Sequence, residues 1–200
     1  MYHLRRLSAL VLSLAIAPLL FLPTPAAAAN EDSMPLVLSS ASALLMEKET
    51  GTVLLQQNAH QKLEPASVTK IMTLLLVMEA VDSGRLSLDE LVPVSAHAAG
   101  MGGSQVYLKE GEQLSVSDLI KCVAVVSGND CAVALAERLA GSESAFVDQM
   151  NQKAQSLGMA DTHFVNCTGL PAPGHLTSAW DIALMSRELI LRHPDIQQYT

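Results

Sequence analysis

The sequence is short of aromatic residues, short of cations and odd in its cysteine count, and each shortage excludes something. Aromatic side chains supply 4% of the 200 residues and apolar ones 50%, so any core must be assembled from Ala, Leu, Val and Met. Twelve Lys and Arg stand against twenty Asp and Glu, a formal charge of -8. Without the first 29 residues, which hold Arg5 and Arg6 and no acid, ten basic residues remain and the charge is -10. No cluster of Lys and Arg offers itself to phosphates, which argues against a nucleic-acid partner. Three cysteines, Cys122, Cys131 and Cys167, cannot all pair within one chain. Cys122 and Cys131 lie in apolar helical stretches, where a thiol serves as a small buried hydrophobe, and core packing is expected of both. His97, His163 and His175 fall into no metal-ligand spacing and are assigned structural or surface roles. Trp180 opens a helix and is expected to pack. Internal repeats, low-complexity tracts and blocks of like charge are absent, which argues against disorder.

One long apolar run is present, at the start. Arg5 and Arg6 precede Leu7–Leu22, Pro23-Thr24-Pro25 breaks the helix, and Ala26-Ala27-Ala28-Ala29 offers several A-x-A cleavage sites. This is the pattern of a secretory signal peptide over residues 1–29, and the run is short for a membrane anchor. The protein is therefore expected to be exported and to work outside the cytoplasm, with residues 30–200 forming part of one domain.

Within that domain, residues 41–46 and 52–57 read as two strands around a turn closed by Gly51, apolar on both sides as if buried on two faces. Pro65 opens a helix over 66–81 whose centre, Ile71 to Met78, is apolar almost all the way round. Such a helix belongs inside a domain. Asp82-Ser83-Gly84 ends it. A Gly-rich loop (100–103) leads to helices over 116–126, 130–140, 144–157 and 178–192, with Ser127-Gly128-Asn129 breaking the first from the second. Strands leading into a run of helices make an α+β pattern. Two strands cannot cover five helices, so further strands are expected beyond Thr200.

Ser67 and Lys70 are the first chemical pair. Residues at i and i+3 share a helix face, so hydroxyl and amine can meet. Ser67 also sits on a first turn whose unpaired N–H groups favour developing negative charge. A serine needs a base to become a nucleophile, and burial can draw a lysine's pKa down far enough to serve. By itself S-x-x-K describes a helix cap with a solvated lysine just as well. Context decides against the cap: a lysine on the opening turn of an all-apolar helix is poorly placed for solvation. Sixty residues later Ser127 and Asn129 bring a second hydroxyl and a carboxamide to a bend between two apolar helices. Nucleophile, base, relay and amide-binding group are the parts of an acyl-transfer site.

Pro65-Ala66-Ser67-Val68-Thr69-Lys70 followed by Ser127-Gly128-Asn129-Asp130, with Ala140-Gly141, Phe146, Thr162-His163-Phe164 and Gly169-Leu170 in register, resembles the D-alanyl-D-alanine carboxypeptidases among the low-molecular-mass penicillin-binding proteins. The resemblance runs from about Ser42 to Tyr199. It implies a serine β-lactamase/penicillin-binding transpeptidase-like fold, an antiparallel sheet with a helical subdomain, incomplete here at its C-terminal side. It implies further that Ser67 attacks the carbonyl between the terminal D-alanines of a peptidoglycan stem peptide. Lys70 takes its proton, Ser127 relays it to the departing D-alanine, and Asn129 binds the substrate amide and helps hold Lys70. The Ser67 N–H supplies half an oxyanion hole, and β-lactam antibiotics acylate the same serine. No cofactor and no metal are implied.

The family's third motif, Lys-Thr-Gly or Lys-Ser-Gly, is missing. Lys109-Glu110-Gly111 precedes the second motif and does not qualify. The motif is expected beyond Thr200, together with a membrane-associating C-terminal region, so the chain reads as the N-terminal portion of a longer protein. Two rival readings remain. A class A β-lactamase needs a glutamate on a loop roughly a hundred residues past the nucleophile, and residues 161–177 contain none. A non-catalytic wall- or penicillin-binding module would keep the pocket without turnover.

Overall fold

A computed structural model describes residues 38–199. Residues 1–37, and with them the expected signal peptide, lie outside the described residues, as does Thr200. Two strands come first, β1 (Ala43–Met46) and β2 (Val53–Gln57), antiparallel with Leu45 opposite Leu55 and a bulge between Leu45 and Met46. Gly51 closes their turn in the left-handed region, φ 75°, a conformation open to glycine because it lacks a Cβ. Burial on two faces was expected of these strands and is not found. Val53, Leu55 and Gln57 are half-buried, whereas Leu54 and Gln56 between them are exposed. Pleating sends successive side chains to opposite faces, and among the described residues only one face is covered, by contact of β1 with the last helix.

The expected first helix is two pieces. Ala66–Thr69 is a 3₁₀ turn and α1 (Lys70–Asp82) continues it. Lys70, Met72, Leu75 and Met78 on α1 are buried, and α1 touches four other helices, so it is the central element that its sequence called for. Three short pieces follow that sequence patterning missed: β3 (Leu91–Pro93), α2 (Ala96–Ala99) and β4 (Gln113–Ser115), the strands pairing antiparallel through Val92 and Leu114. Three residues are too few for a period to register.

The remaining helices fall within a residue of expectation: α3 (Val116–Val126), α4 (Asn129–Ala140), α5 (Glu143–Ser156) and α6 (Ala179–Arg192), before a closing 3₁₀ turn, Pro194–Tyr199. Ser115, Ser142 and Ser178 cap α3, α5 and α6 by accepting the N–H three residues on, worth about 1 kcal/mol per cap. The core holds Met72, Leu75, Leu119, Ile120, Leu135 and Met185, with Phe146 and Phe164 as its large aromatics. All three cysteines are free thiols, Cys131 and Cys167 fully buried. No helix among the described residues is long and apolar enough to cross a membrane.

Candidate active site

The 3₁₀ turn shapes the site. With three residues per turn, i and i+3 eclipse, which stacks Ser67 over Lys70. Ser67 is exposed, Lys70 is 3% exposed, and Lys70 Nζ lies 3.4 Å from Ser67 Oγ. Ala66, just before the serine, has φ 47°, an uncommon value for an alanine and a mark of strain held by its surroundings. Those surroundings include Gly169, whose backbone lies against the Ala66–Ser67 peptide.

Lys70 is anchored from the loop after α5. Its Nζ donates to the Thr168 carbonyl at 2.7 Å, and one turn further along α1 the Thr73 hydroxyl donates to the Cys167 carbonyl at 2.7 Å. Both carbonyls are fixed from behind. Asn166 Oδ1 accepts from the backbone N–H groups of Thr168 and Gly169 and from the Thr168 hydroxyl, and Glu143 Oε1 accepts from Cys167 N–H. Burial draws the Lys70 amine from 10.5 down to about 8, because the low-dielectric surroundings disfavour its charged form. Burial also pushes the nearby Cys167 thiol well up.

Ser127 arrives from the other side. It is the residue after α3 and stands in the left-handed region, φ 59°. Its hydroxyl is buried and has no hydrogen-bond partner among the described residues. A buried unpaired hydroxyl costs about 1–3 kcal/mol, and strain beside it adds to that cost. Both point to a group kept for something other than stability. Ser67, Lys70 and Ser127 line one cleft of about 570 Å³, walled by Ile71, Leu74 and Val123.

Asn129 stands apart from the other three. It is buried, and its Nδ2 donates to the Gly102 carbonyl at 2.7 Å while its N–H donates to Ser104 O. It had been expected to help hold Lys70. The Thr168 carbonyl holds Lys70 instead, and Asn129 pins the Gly-rich loop to the start of α4. Asp130 does the same for residues 106–108: its carboxylate accepts from Val106 N–H at 3.0 Å and Leu108 N–H at 3.1 Å.

Of the four residues singled out in the sequence, the fold thus gathers Ser67, Lys70 and Ser127 in one cleft and ties Asn129 to the Gly-rich loop. Sequence reading missed Thr73, Glu143, Asn166 and Thr168. Thr73 alone had a visible signal, as the one polar residue between Ile71 and Met78. His97 pairs with Glu143 at 2.9 Å, and Trp180 stacks on His60 with ring centres 5.0 Å apart. Among the described residues no group of three His, Cys, Asp or Glu could hold a metal ion.

The chain and its fold are similar to known proteins. The family profile described as D-alanyl-D-alanine carboxypeptidase matches residues 27–200. The D-alanyl-D-alanine carboxypeptidase DacF of Bacillus subtilis is 45% identical over 194 residues, covering 96% of this chain and 50% of that protein. The crystal structure of the D-alanyl-D-alanine carboxypeptidase DacD from Francisella tularensis superposes with a TM-score of 0.80 at 40% identity, over 82% of this chain and 40% of its own. Penicillin-binding protein D2 from Listeria monocytogenes in its ampicillin-bound form superposes with a TM-score of 0.73 at 35% identity, over 82% of this chain and 67% of its own. The fold expected from the resemblance is therefore the fold observed. The chain spans about half the length of the curated relatives it matches.

Proposed function

The chain belongs to the D-alanyl-D-alanine carboxypeptidase family, and from that premise we propose that the protein is a serine hydrolase removing the terminal D-alanine from peptidoglycan stem peptides. One observation carries the reading: an exposed serine hydroxyl, a buried lysine drawn to about 8 and a serine hydroxyl without a partner among the described residues share one cleft. Ser67 Oγ attacks the carbonyl carbon of the D-Ala–D-Ala peptide bond as neutral Lys70 takes its proton. The Ser67 N–H, on a turn whose first amides have no helical acceptor, receives part of the developing oxyanion charge. The C–N bond then breaks, and the proton passes from Lys70 through the Ser127 hydroxyl to the leaving amine of D-alanine. Water hydrolyses the ester on Ser67 and restores the serine. Asn129, to which the family resemblance assigns the substrate amide, holds the Gly-rich loop through Gly102 and Ser104.

β-Lactams mimic the scissile amide and acylate Ser67 in the same way. The substrate is extracytoplasmic, in keeping with the signal peptide read over residues 1–29 and with action at the cell wall or the outer face of the membrane. Incubating the full-length protein with a fluorescent penicillin tests the reading. Covalent label on the wild type and none on Ser67→Ala is expected, together with D-alanine release from a D-Ala-D-Ala-terminated peptide. Label that survives Ser67→Ala overturns the proposal. Label without D-alanine release leaves a penicillin-binding module in its place.

A further inference from the structure

His175 was assigned a bland role in the sequence, but the fold puts it at a junction. It is 2% exposed and its ring touches both halves of the Lys70 environment. Nδ1 lies 3.0 Å from Val165 N–H, and Nε2 lies 2.7 Å from Thr69 Oγ1. An amide N–H can only donate, so Nδ1 must accept and is unprotonated. The proton of a neutral ring is then on Nε2, which donates to the Thr69 hydroxyl. This tautomer follows from the hydrogen-bond partners alone.

Thr69 is the last residue of the Ser67 turn, next to Lys70. Val165 begins the loop whose Thr168 carbonyl receives the Lys70 amine. The same loop is clasped at its base by the paired backbones of His163 and Leu176 and of Leu63 and Thr177. One imidazole therefore joins the turn carrying nucleophile and base to the loop orienting the base. We propose that His175 is a positioning residue for acylation, acting through Thr69 and Val165, and that its neutral Nε2–H form is required for the Ser67–Lys70 pair to hold its geometry.

A protonated ring carries N–H on both nitrogens. Nδ1–H would confront Val165 N–H, and the clasp would open on the side that holds Thr168. The groups facing the ring sort by element. His163, whose backbone pairs with Leu176, disfavours a proton on the ring, and Glu64, from the segment before the Ser67 turn, favours one. Burial is the largest influence and holds the His175 pKa below 6.5, so the neutral form prevails at physiological pH.

This inference rests on the serine acyl-enzyme reading and sharpens it into a pH signature. The rate of labelling by a fluorescent penicillin needs both Lys70 and His175 neutral. Going down from pH 8, the rate should fall about tenfold per pH unit through Lys70, then about a hundredfold per unit once His175 also takes a proton. In His175→Gln the amide oxygen and nitrogen supply the same acceptor and donor without titrating. That variant should label near the wild-type rate at pH 8 and keep the single, tenfold-per-unit slope. His175→Ala should lose rate at pH 8 as well.

Ring nitrogen NMR of the wild type provides a second measurement that needs no variant. It should show the neutral Nε2–H tautomer until the pH at which the slope steepens. A wild-type slope that never steepens, a His175→Gln slope that steepens equally, or an Nδ1–H tautomer at neutral pH overturns the inference. A wild type that takes no label at pH 8 overturns the acyl-enzyme reading instead.

Discussion

Replacing Gly169 by alanine tests whether the loop after α5 sets the position of Ser67, the proposed nucleophile. Gly169 has φ 85°, and a Cβ there would lie 1.8 Å from the Ala66 carbonyl oxygen, 2.3 Å from its carbon and 3.0 Å from the Ser67 nitrogen. Real Cβ contacts essentially never fall below 3.0 Å, so the peptide must retreat by at least the difference of 3.0 and 1.8, 1.2 Å. That peptide is the one entering Ser67. Left-handed backbone costs an alanine about 1–2 kcal/mol, and overpacking a tight contact adds about 1–3 kcal/mol. At roughly 2–4 °C per kcal/mol for a domain of this size, melting should drop by about 5–15 °C. A nucleophile displaced by about 1 Å should acylate about a hundredfold more slowly. Labelling kinetics with a fluorescent penicillin and a thermal melt read the two effects separately. Wild-type acylation in a destabilised Gly169→Ala would show that the contact supports the fold without placing Ser67. Wild-type values of both would refute the steric reasoning outright.

Two further outcomes follow from the same geometry. Folded Lys70 releases its proton at about 8 and the unfolded chain at 10.5. Between those values the unfolded state binds more protons, so this group's contribution to stability rises with pH across that window and is a constant penalty below it. Lys70→Met should therefore melt above the wild type at pH 7, with the gap closing as pH approaches 10.5, while losing acylation throughout; a gap independent of pH would show that Lys70 is not held at a lowered pKa. Asp130→Ala leaves the N–H groups of Val106 and Leu108 without their carboxylate, which should cost about 3 kcal/mol or more. Hydrogen exchange at those two amides should speed up, and unchanged protection would refute the role assigned to Asp130.

Much of this protein is legible in one dimension. Helix limits were readable because their causes are local: Ser115, Ser142 and Ser178 cap helices through N–H groups three residues away, and Gly84 and Gly141 end helices with φ 72° and 81°. The Ser67–Lys70 pairing was readable for the same reason, since three-residue spacing on one turn guarantees proximity. Residues 43–46 and 53–57 were readable as strands, but their burial was not, because a face is covered or left open by elements far away in sequence.

The site's energetics also belong to the tertiary structure. No local pattern reveals that Thr168 receives the Lys70 amine across 98 residues, that Cys167 receives Thr73 across 94, or that His175 reaches Thr69 across 106. Asn129 shows the limit from the other direction, since the family resemblance implies a contact with Lys70 and the fold gives its amide to Gly102. The sequence alone determined which groups could do acyl chemistry and that two of them share a turn. Only the packed fold decided that Lys70 is buried with a lowered pKa, that Ser127 has no hydrogen-bond partner among the described residues, and that both open onto one cleft. A pKa and an unsatisfied hydroxyl depend on everything that surrounds a group in space, and those surroundings come from distant parts of the chain.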